Sequence, residues 1–273
     1  MLTLDEHESN DNPIALIMKD TGKLIDLLYI KDPNLRPTRN KNKRNNSFNE
    51  LGLDPGEHFE QCPSEAIRCI YIAASSGSGK STYAGRYILK YLMINRGAKL
   101  FLFSLKPEDP ALDYLNPIRI RIDDSLIDEP IELSEIEEGS IILFDDCDNV
   151  ISEKVKKSLQ NIQKQILEMG RQMKIQILIT SHLINPSGTM GRILMNECQS
   201  LTIFPWSGAS HQIKYCLEKY FDFDKKSSSL IANSSERWIT ITKAHPSVIL
   251  TEMNCVIKKN FISGGNSKSK SLF

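Results

Sequence analysis

The stretch Tyr71–Ile88, YIAASSGSGKSTYAGRYI, passes from an apolar, strand-forming burst through a run of small residues into a helix-forming segment. Inside it, Ala74–Ser81 reads ASSGSGKS and meets the spacing G-x-x-x-x-G-K-[ST], with alanine in place of the first glycine. Consecutive backbone N–H groups can wrap around an anion only where the chain takes dihedrals that side chains resist. Gly77 and Gly79 supply that freedom. The stretch therefore predicts a strand ending at Ala73, a helix from Lys80 to Asn95, and between them a phosphate-binding loop. Its cradle runs over Ser75, Ser76, Gly77, Ser78, Gly79, Lys80, Ser81 and Thr82. In such a loop Lys80 bridges the terminal phosphates of ATP, Ser81 ligates Mg2+, and the helix N-terminus directs its dipole at the anion. The competing reading is a serine-glycine turn before a surface helix; the strand before and the helix after favour the loop.

Working outward, the chain from about Glu65 alternates β-branched runs with amphipathic stretches, the pattern of a mainly parallel sheet with crossover helices. Strands are expected at Ala66–Ala73, Lys99–Ser104, Pro117–Ile122, Ser140–Phe144, Ile175–Thr180 and Leu201–Phe204, and helices at Lys80–Asn95, Ser152–Met173, Thr189–Glu197 and Ser210–Tyr220. In GSIILFDDCDN the apolar run Ile141–Phe144 ends in Asp145 and Asp146, as where a buried central strand delivers carboxylates to its C-terminal edge. That places Asp145 in a magnesium shell and Asp146 at the attacking water, with Asp148 in reserve; a solvated Asp-Asp turn is the plainer alternative. Farther on, LEMGRQMKIQILITSH sets Arg171 after a helix-breaking glycine and puts Thr180, Ser181 and His182 at the tip of an apolar strand.

Flanking this core, IALIMKDTGKLIDLLYI (Ile14–Ile30) reads as a hairpin about KDTGK. The following KDPNLRPTRNKNKRNNSFNE is almost free of apolar residues, a linker or mobile arm. RWITITKAHPSVILTEMNCVIKKNF alternates with period two around a His-Pro break and reads as a terminal antiparallel hairpin, while SGGNSKSKSLF reads as a disordered tail. The resulting division is an N-terminal hairpin and basic arm over 1–64, an α/β nucleotide-binding domain over 65–262 with a C-terminal β extension, and a tail over 263–273.

Composition excludes several classes. Lysine plus arginine equals aspartate plus glutamate at 34 each, so any polyanion contact is local rather than a property of the whole field. The six cysteines are scattered without a C-x-x-C pair, which fits buried thiols rather than a disulfide or zinc framework. The acidic start lacks a secretory pattern, and no run approaches the roughly 20 apolar residues of a membrane span; a soluble, intracellular protein is expected.

GRQMKIQILITSH resembles the stretch in the FtsK/HerA superfamily of DNA-pumping ATPases where a Gly-Arg pair precedes a strand ending in a polar sensor. GRILMNECQSLTIFPWSG is similar to the segment after that sensor in the poxvirus-type genome-packaging ATPases of large DNA viruses. The resemblance covers Ile67–Phe221 and departs from the family at Asp146, where glutamate is usual, and at Ser181-His182, where glutamine is common. It implies an additional-strand, three-layer α/β P-loop core that hydrolyses ATP with Mg2+, assembles as a homo-oligomeric ring and moves double-stranded DNA. Such a chain would work at a viral assembly site in the host cytoplasm or in the virion, alongside capsid or assembly proteins. Arg171 then becomes a finger for a neighbouring subunit's nucleotide, with Arg192 second, and Ser181 or His182 the γ-phosphate sensor.

Arg36, Arg39, Lys41, Lys43 and Arg44 crowd one stretch that could neutralise phosphates without reading sequence; Lys225, Lys226, Lys268 and Lys270 are weaker candidates. Trp206 and Trp238 are isolated and make no stacking platform. Two alternatives stay open. One is a nucleoside- or nucleotide-kinase-type phosphotransferase, whose lid arginines could only come from RIRID at Arg119–Asp123. The other is an ATP-binding switch with little turnover.

Overall fold

The computed structural model describes residues 1–9, 12–32, 34–35, 50–64, 67–243 and 246–258. The arm arginines and lysines from Arg36 to Arg44 and the tail lysines Lys268 and Lys270 lie outside them. The chain divides into two compact units, Ile67–Ile203 and the segments on either side of it.

The segment before Ile67 supplies β1 (Leu2–Thr3), β2 (Ala15–Lys19), β3 (Leu24–Ile30), β4 (Glu50–Gly52) and β5 (Glu57–Gln61). The hairpin read from KDTGK is β2–β3, with Ala15 opposite Leu28 and the turn closed by Lys19 N donating to Lys23 O at 2.8 Å. β5 pairs with the other edge of β2, giving the antiparallel order β1-β3-β2-β5.

Ile67–Ile203 holds β6 (Cys69–Ala73), α1 (Lys80–Ile94), β7 (Leu100–Ser104), α2 (Pro110–Asp113), β8 (Ile118–Arg121), α3 (Ser125–Asp128), β9 (Ile141–Asp145), α4 (Glu153–Met169), β10 (Gln176–Ser181), α5 (Gly188–Glu197) and β11 (Ser200–Ile203). The six strands run parallel in the order β11-β6-β10-β9-β7-β8. Every strand except the edge strand β8 is buried along its whole length, as a sheet covered by helices on both faces requires. One strand, β10, lies between the strand that feeds the small-residue loop and the strand that ends in Asp145, which is the additional-strand order. Phe103 of β7 and Phe144 of β9 stack at 4.6 Å between centroids, packing the sheet just below its C-terminal edge.

Strand positions follow the sequence reading to within one to three residues. α4 does not: it was expected to reach Met173 and stops at Met169. Gly170 follows, the turn doubles back through Lys174 at φ 52°, and Ile175 N donates to Gly170 O at 2.9 Å to enter β10. Arg68 completes that end, its guanidinium donating to the carbonyls of Ile166 at 3.1 Å and Leu167 at 2.6 Å.

After Phe204 come α6 (Ser210–Tyr220), α7 (Lys225–Ala232), β12 (Ile239–Thr242), β13 (Val248–Thr251) and β14 (Asn254–Ile257). The expected terminal hairpin is a three-stranded meander, β12-β13-β14, with β4 added antiparallel to β14. The six cysteines form no disulfide, and all but Cys147 are buried. Among the described residues no helix is long and apolar enough to cross a membrane.

Candidate active site

The loop leaves β6 where the chain must turn sharply, and it does so on glycine: Gly77 sits at φ 76° and Gly79, the residue before α1, at φ 99°. Both lie in the left-handed region that a Cβ disfavours. Ser78 closes the turn, its hydroxyl donating to Ser75 O at 2.6 Å. Ser75, Ser76, Gly77 and Thr82 are exposed, Gly79 and Ser81 half-buried, and Ser78 and Lys80 buried. The parallel sheet places the tip of β10 beside this loop, where Ala74 N donates to Ser181 O at 3.1 Å.

Lys80 folds into the loop, with Nζ donating to Ala74 O at 3.0 Å and Ser75 O at 3.4 Å. It also lies 3.3 Å from His182 Nδ1 and 3.4 Å from Asp146 Oδ1, the latter an ion pair without a hydrogen bond. His182 Nε2 is in turn 3.3 Å from Asp146 Oδ2. Asp146 holds a left-handed backbone, φ 48° and ψ 41°, which aspartate tolerates better than most residues at a cost of order 1 kcal/mol. Its N–H is fixed by Thr180 Oγ1 at 3.0 Å, and the same hydroxyl donates to Asp145 Oδ1 at 2.8 Å. One threonine at the end of β10 thus orders both aspartates.

Asp145 is 1% exposed, and its second oxygen, Oδ2, has no hydrogen-bond partner. Burial pushes this carboxyl above the ordinary aspartate range; the Thr180 hydrogen bond opposes that and the Asp146 charge adds to it. An orphaned, desolvated carboxylate oxygen is the kind of group a cation satisfies, and Ser81 at the start of α1 is a second oxygen donor on the same edge of the sheet. Among the described residues no three His, Cys, Asp or Glu side chains cluster as a metal site. The carboxylate of Asp145 and the hydroxyl of Ser81 are hard oxygen donors of the type that fits a magnesium ion.

Asp148, the reserve for the water-activating role, is already engaged. Its Oδ2 accepts from Ser181 Oγ at 2.5 Å and from His182 N at 2.9 Å, pinning the tip of β10. Arg171 is exposed in the turn before β10, at the edge where the strands begin. The six residues of β10, roughly 20 Å of extended chain, separate it from the loop of its own subunit. Arg192 is exposed on α5, with Thr189 Oγ1 at 3.5 Å. Arg119 lies on the edge strand β8, where it pairs with Asp113 and donates to Lys106 O at 2.9 Å.

Lys106, just past β7, was not singled out from sequence. Burial pulls its ammonium down, but a hydrogen bond from it to Asp109 and the charges of Asp145, Asp109 and Asp146 more than offset that and raise it. Its only sequence signal is a basic residue two positions beyond the end of an apolar strand.

No protein-family profile matches the chain. Over 206 residues it is 39% identical to the uncharacterized protein V3 of the Sputnik virophage, covering 75% of this chain and 82% of that protein. Among solved structures it is similar to the genome packaging NTPase B204 of Sulfolobus turreted icosahedral virus 2 in complex with ATP-gammaS. That match has a TM-score of 0.48 and 8% identity over 70% of this chain and 98% of the other. The cytoplasmic domain of the type VII secretion ATPase EccC of Thermomonospora curvata matches with a TM-score of 0.45 and 13% identity, over 92% of this chain and 30% of that one. The chain belongs to the protein family of Sputnik virophage V3, and its Ile67–Ile203 unit is an α/β fold built on a parallel sheet with the small-residue loop between β6 and α1.

Proposed function

We propose that the chain binds ATP with Mg2+ in the Ala74–Ser81 loop, hydrolyses it, and uses the cycle to move double-stranded DNA, as a ring of identical subunits packaging a viral genome. The observation that carries the hydrolytic reading is the convergence, at one edge of the parallel sheet, of Lys80 with Asp146 at 3.4 Å and the unpartnered buried oxygen of Asp145. The DNA-moving reading is supported by the sequence resemblance over Ile67–Phe221.

In this reading Lys80 turns its ammonium to the β- and γ-phosphates and stabilises the charge that grows on the transferring group. Asp146 accepts a proton from water as the water oxygen bonds to the γ-phosphorus. The bond from that phosphorus to the bridging oxygen breaks, and ADP and phosphate leave. Ser81 and Asp145 would hold the magnesium ion, which when bound screens the phosphate charge. Thr180 keeps the two aspartates in register, and Ser181, fixed by Asp148, reads the γ-phosphate. Both arginines of the alternative's lid, Arg119 and Arg121, lie on the edge strand β8, and Arg119 is paired with Asp113, which does not favour the phosphotransferase alternative.

Phosphate release by the wild type, Lys80→Ala and Asp146→Asn, with and without duplex DNA, tests the reading. The wild type should be stimulated by duplex, K80A should lose nucleotide binding, and D146N should bind ATP while losing about 10²–10⁴-fold in turnover. Turnover that ignores DNA and follows a nucleoside acceptor would overturn it.

A further inference from the structure

We infer that His182 is a positioning residue that ties Lys80 to Asp146 while the loop holds no nucleotide, so that an incoming nucleoside triphosphate must take the imidazole's place on the lysine. This rests on the proposed ATP site and concerns a residue that reading leaves without a task. Three acceptors and one further carboxylate oxygen surround the Lys80 ammonium: Ala74 O, Ser75 O and His182 Nδ1 at 3.0, 3.4 and 3.3 Å, and Asp146 Oδ1 at 3.4 Å. An ammonium has three protons, and Ala74 O, Ser75 O and His182 Nδ1 already engage all three, with Asp146 Oδ1 adding charge alone, before any phosphate arrives.

The imidazole is suited to the link. With the proton on Nε2 and a lone pair on Nδ1, it accepts from Lys80 and turns Nε2 toward Asp146 Oδ2, an electrostatic contact at 3.3 Å. The opposite tautomer would set N–H against ammonium and lone pair against carboxylate, unfavourable at both ends. The backbone that carries the ring is held, since His182 N donates to Asp148 Oδ2 at 2.9 Å and the next residue's carbonyl, Leu183 O, accepts from Tyr71 OH at 2.5 Å. Asp146 enters from a left-handed backbone fixed by Thr180, so its carboxylate meets the ring from one direction. When phosphate oxygens draw Lys80 away, His182 loses its partner on Nδ1 and keeps Asp146, aligning that carboxylate for water.

Two effects of opposite sign follow. Removing the imidazole's hydrogen bond frees Lys80 and tightens nucleotide binding by about threefold to tenfold, the worth of one hydrogen bond. It also leaves Asp146 unaligned and slows turnover by roughly tenfold or more. Damage to the fold would weaken both. The test compares wild type, His182→Phe and His182→Gln by titration with a fluorescent non-hydrolysable ATP analogue and by steady-state phosphate release, with melting temperature recorded for each. H182F is expected to bind the analogue more tightly and turn over more slowly, with H182Q, whose amide offers one acceptor and one donor, between it and wild type on both scales. H182F binding the analogue no more tightly than wild type overturns the inference, with H182Q serving for that comparison should H182F not fold. A wild type that binds the analogue but releases no phosphate removes the hydrolytic reading alone, and the affinity comparison still decides the role of His182.

Discussion

Asp145 and Asp146 are neighbours with opposite needs. Asp145 is sealed at the end of β9 with an orphaned oxygen, and in the absence of a cation that desolvated charge destabilises the fold. Asp145→Asn keeps the acceptor for Thr180 and removes the charge. It should raise stability without nucleotide by about 1 kcal/mol, seen as a melting point roughly 2–4 °C higher, while abolishing magnesium-dependent turnover. An unchanged or lower melting point would deny that the carboxylate is stored unsatisfied. Asp148 separates from Asp146 by the same kind of comparison: D148N, which disturbs only the pin on Ser181 and His182, should keep a tenth or more of the turnover that D146N loses, on the scale of about 10²–10⁴-fold. The placement of Gly77, Gly79 and Lys80 in a loop after β6 and of Asp145 and Asp146 at the end of β9 was legible because each group follows an apolar run. Thr180 as the residue that orders both aspartates, Lys106 as the cation beside them and the His182 bridge were not. Each depends on which strand lies beside which, and the insertion of β10 between β6 and β9 is a long-range fact.

Among the elements, α4 shows where local pattern and tertiary closure part. Its apolar periodicity continues into Met173, which extended the expected helix, but Arg68, about a hundred positions earlier, occupies the carbonyls of Ile166 and Leu167 and helps close the end near Gly170. Arg68→Ala should therefore cost about 1–3 kcal/mol in a denaturant titration, because it strips charge-assisted hydrogen bonds from a buried helix end. A loss below about 0.5 kcal/mol would mean that Arg68 only decorates the surface. The parallel strands were legible from their continuous apolar runs. β5, with Glu57, His58 and Glu60 among its five residues, and α7, opened by Asp224 and carrying a run of serines, were not. Their composition reads as loop, and pairing with β2 and the Asp224 cap decide them instead.

For the whole molecule, the proposed ring gives Arg171 its only route to a nucleotide. It sits where the strands begin, whereas the loop and Asp146 sit where they end, so within the proposed ring it would serve a neighbour's site. Lys80→Ala and Arg171→Ala should each be inactive alone, R171A by about 10³-fold or more, and mixtures of the two should recover turnover, because some interfaces then pair an intact loop with an intact arginine. Mixtures as silent as their parts would remove the shared site. The balanced charge, 34 basic against 34 acidic residues, confines DNA contact to local patches, so salt should weaken stimulation by duplex only as steeply as a few phosphate contacts allow. The most direct test of an ATP-driven, DNA-moving assembly is light scattering and phosphate release recorded on the same sample, with and without magnesium ATP and duplex DNA. The expected result is a multimer that forms with both ligands and whose turnover rises with duplex; a monomer in every condition, hydrolysing ATP at a rate indifferent to DNA, would contradict it.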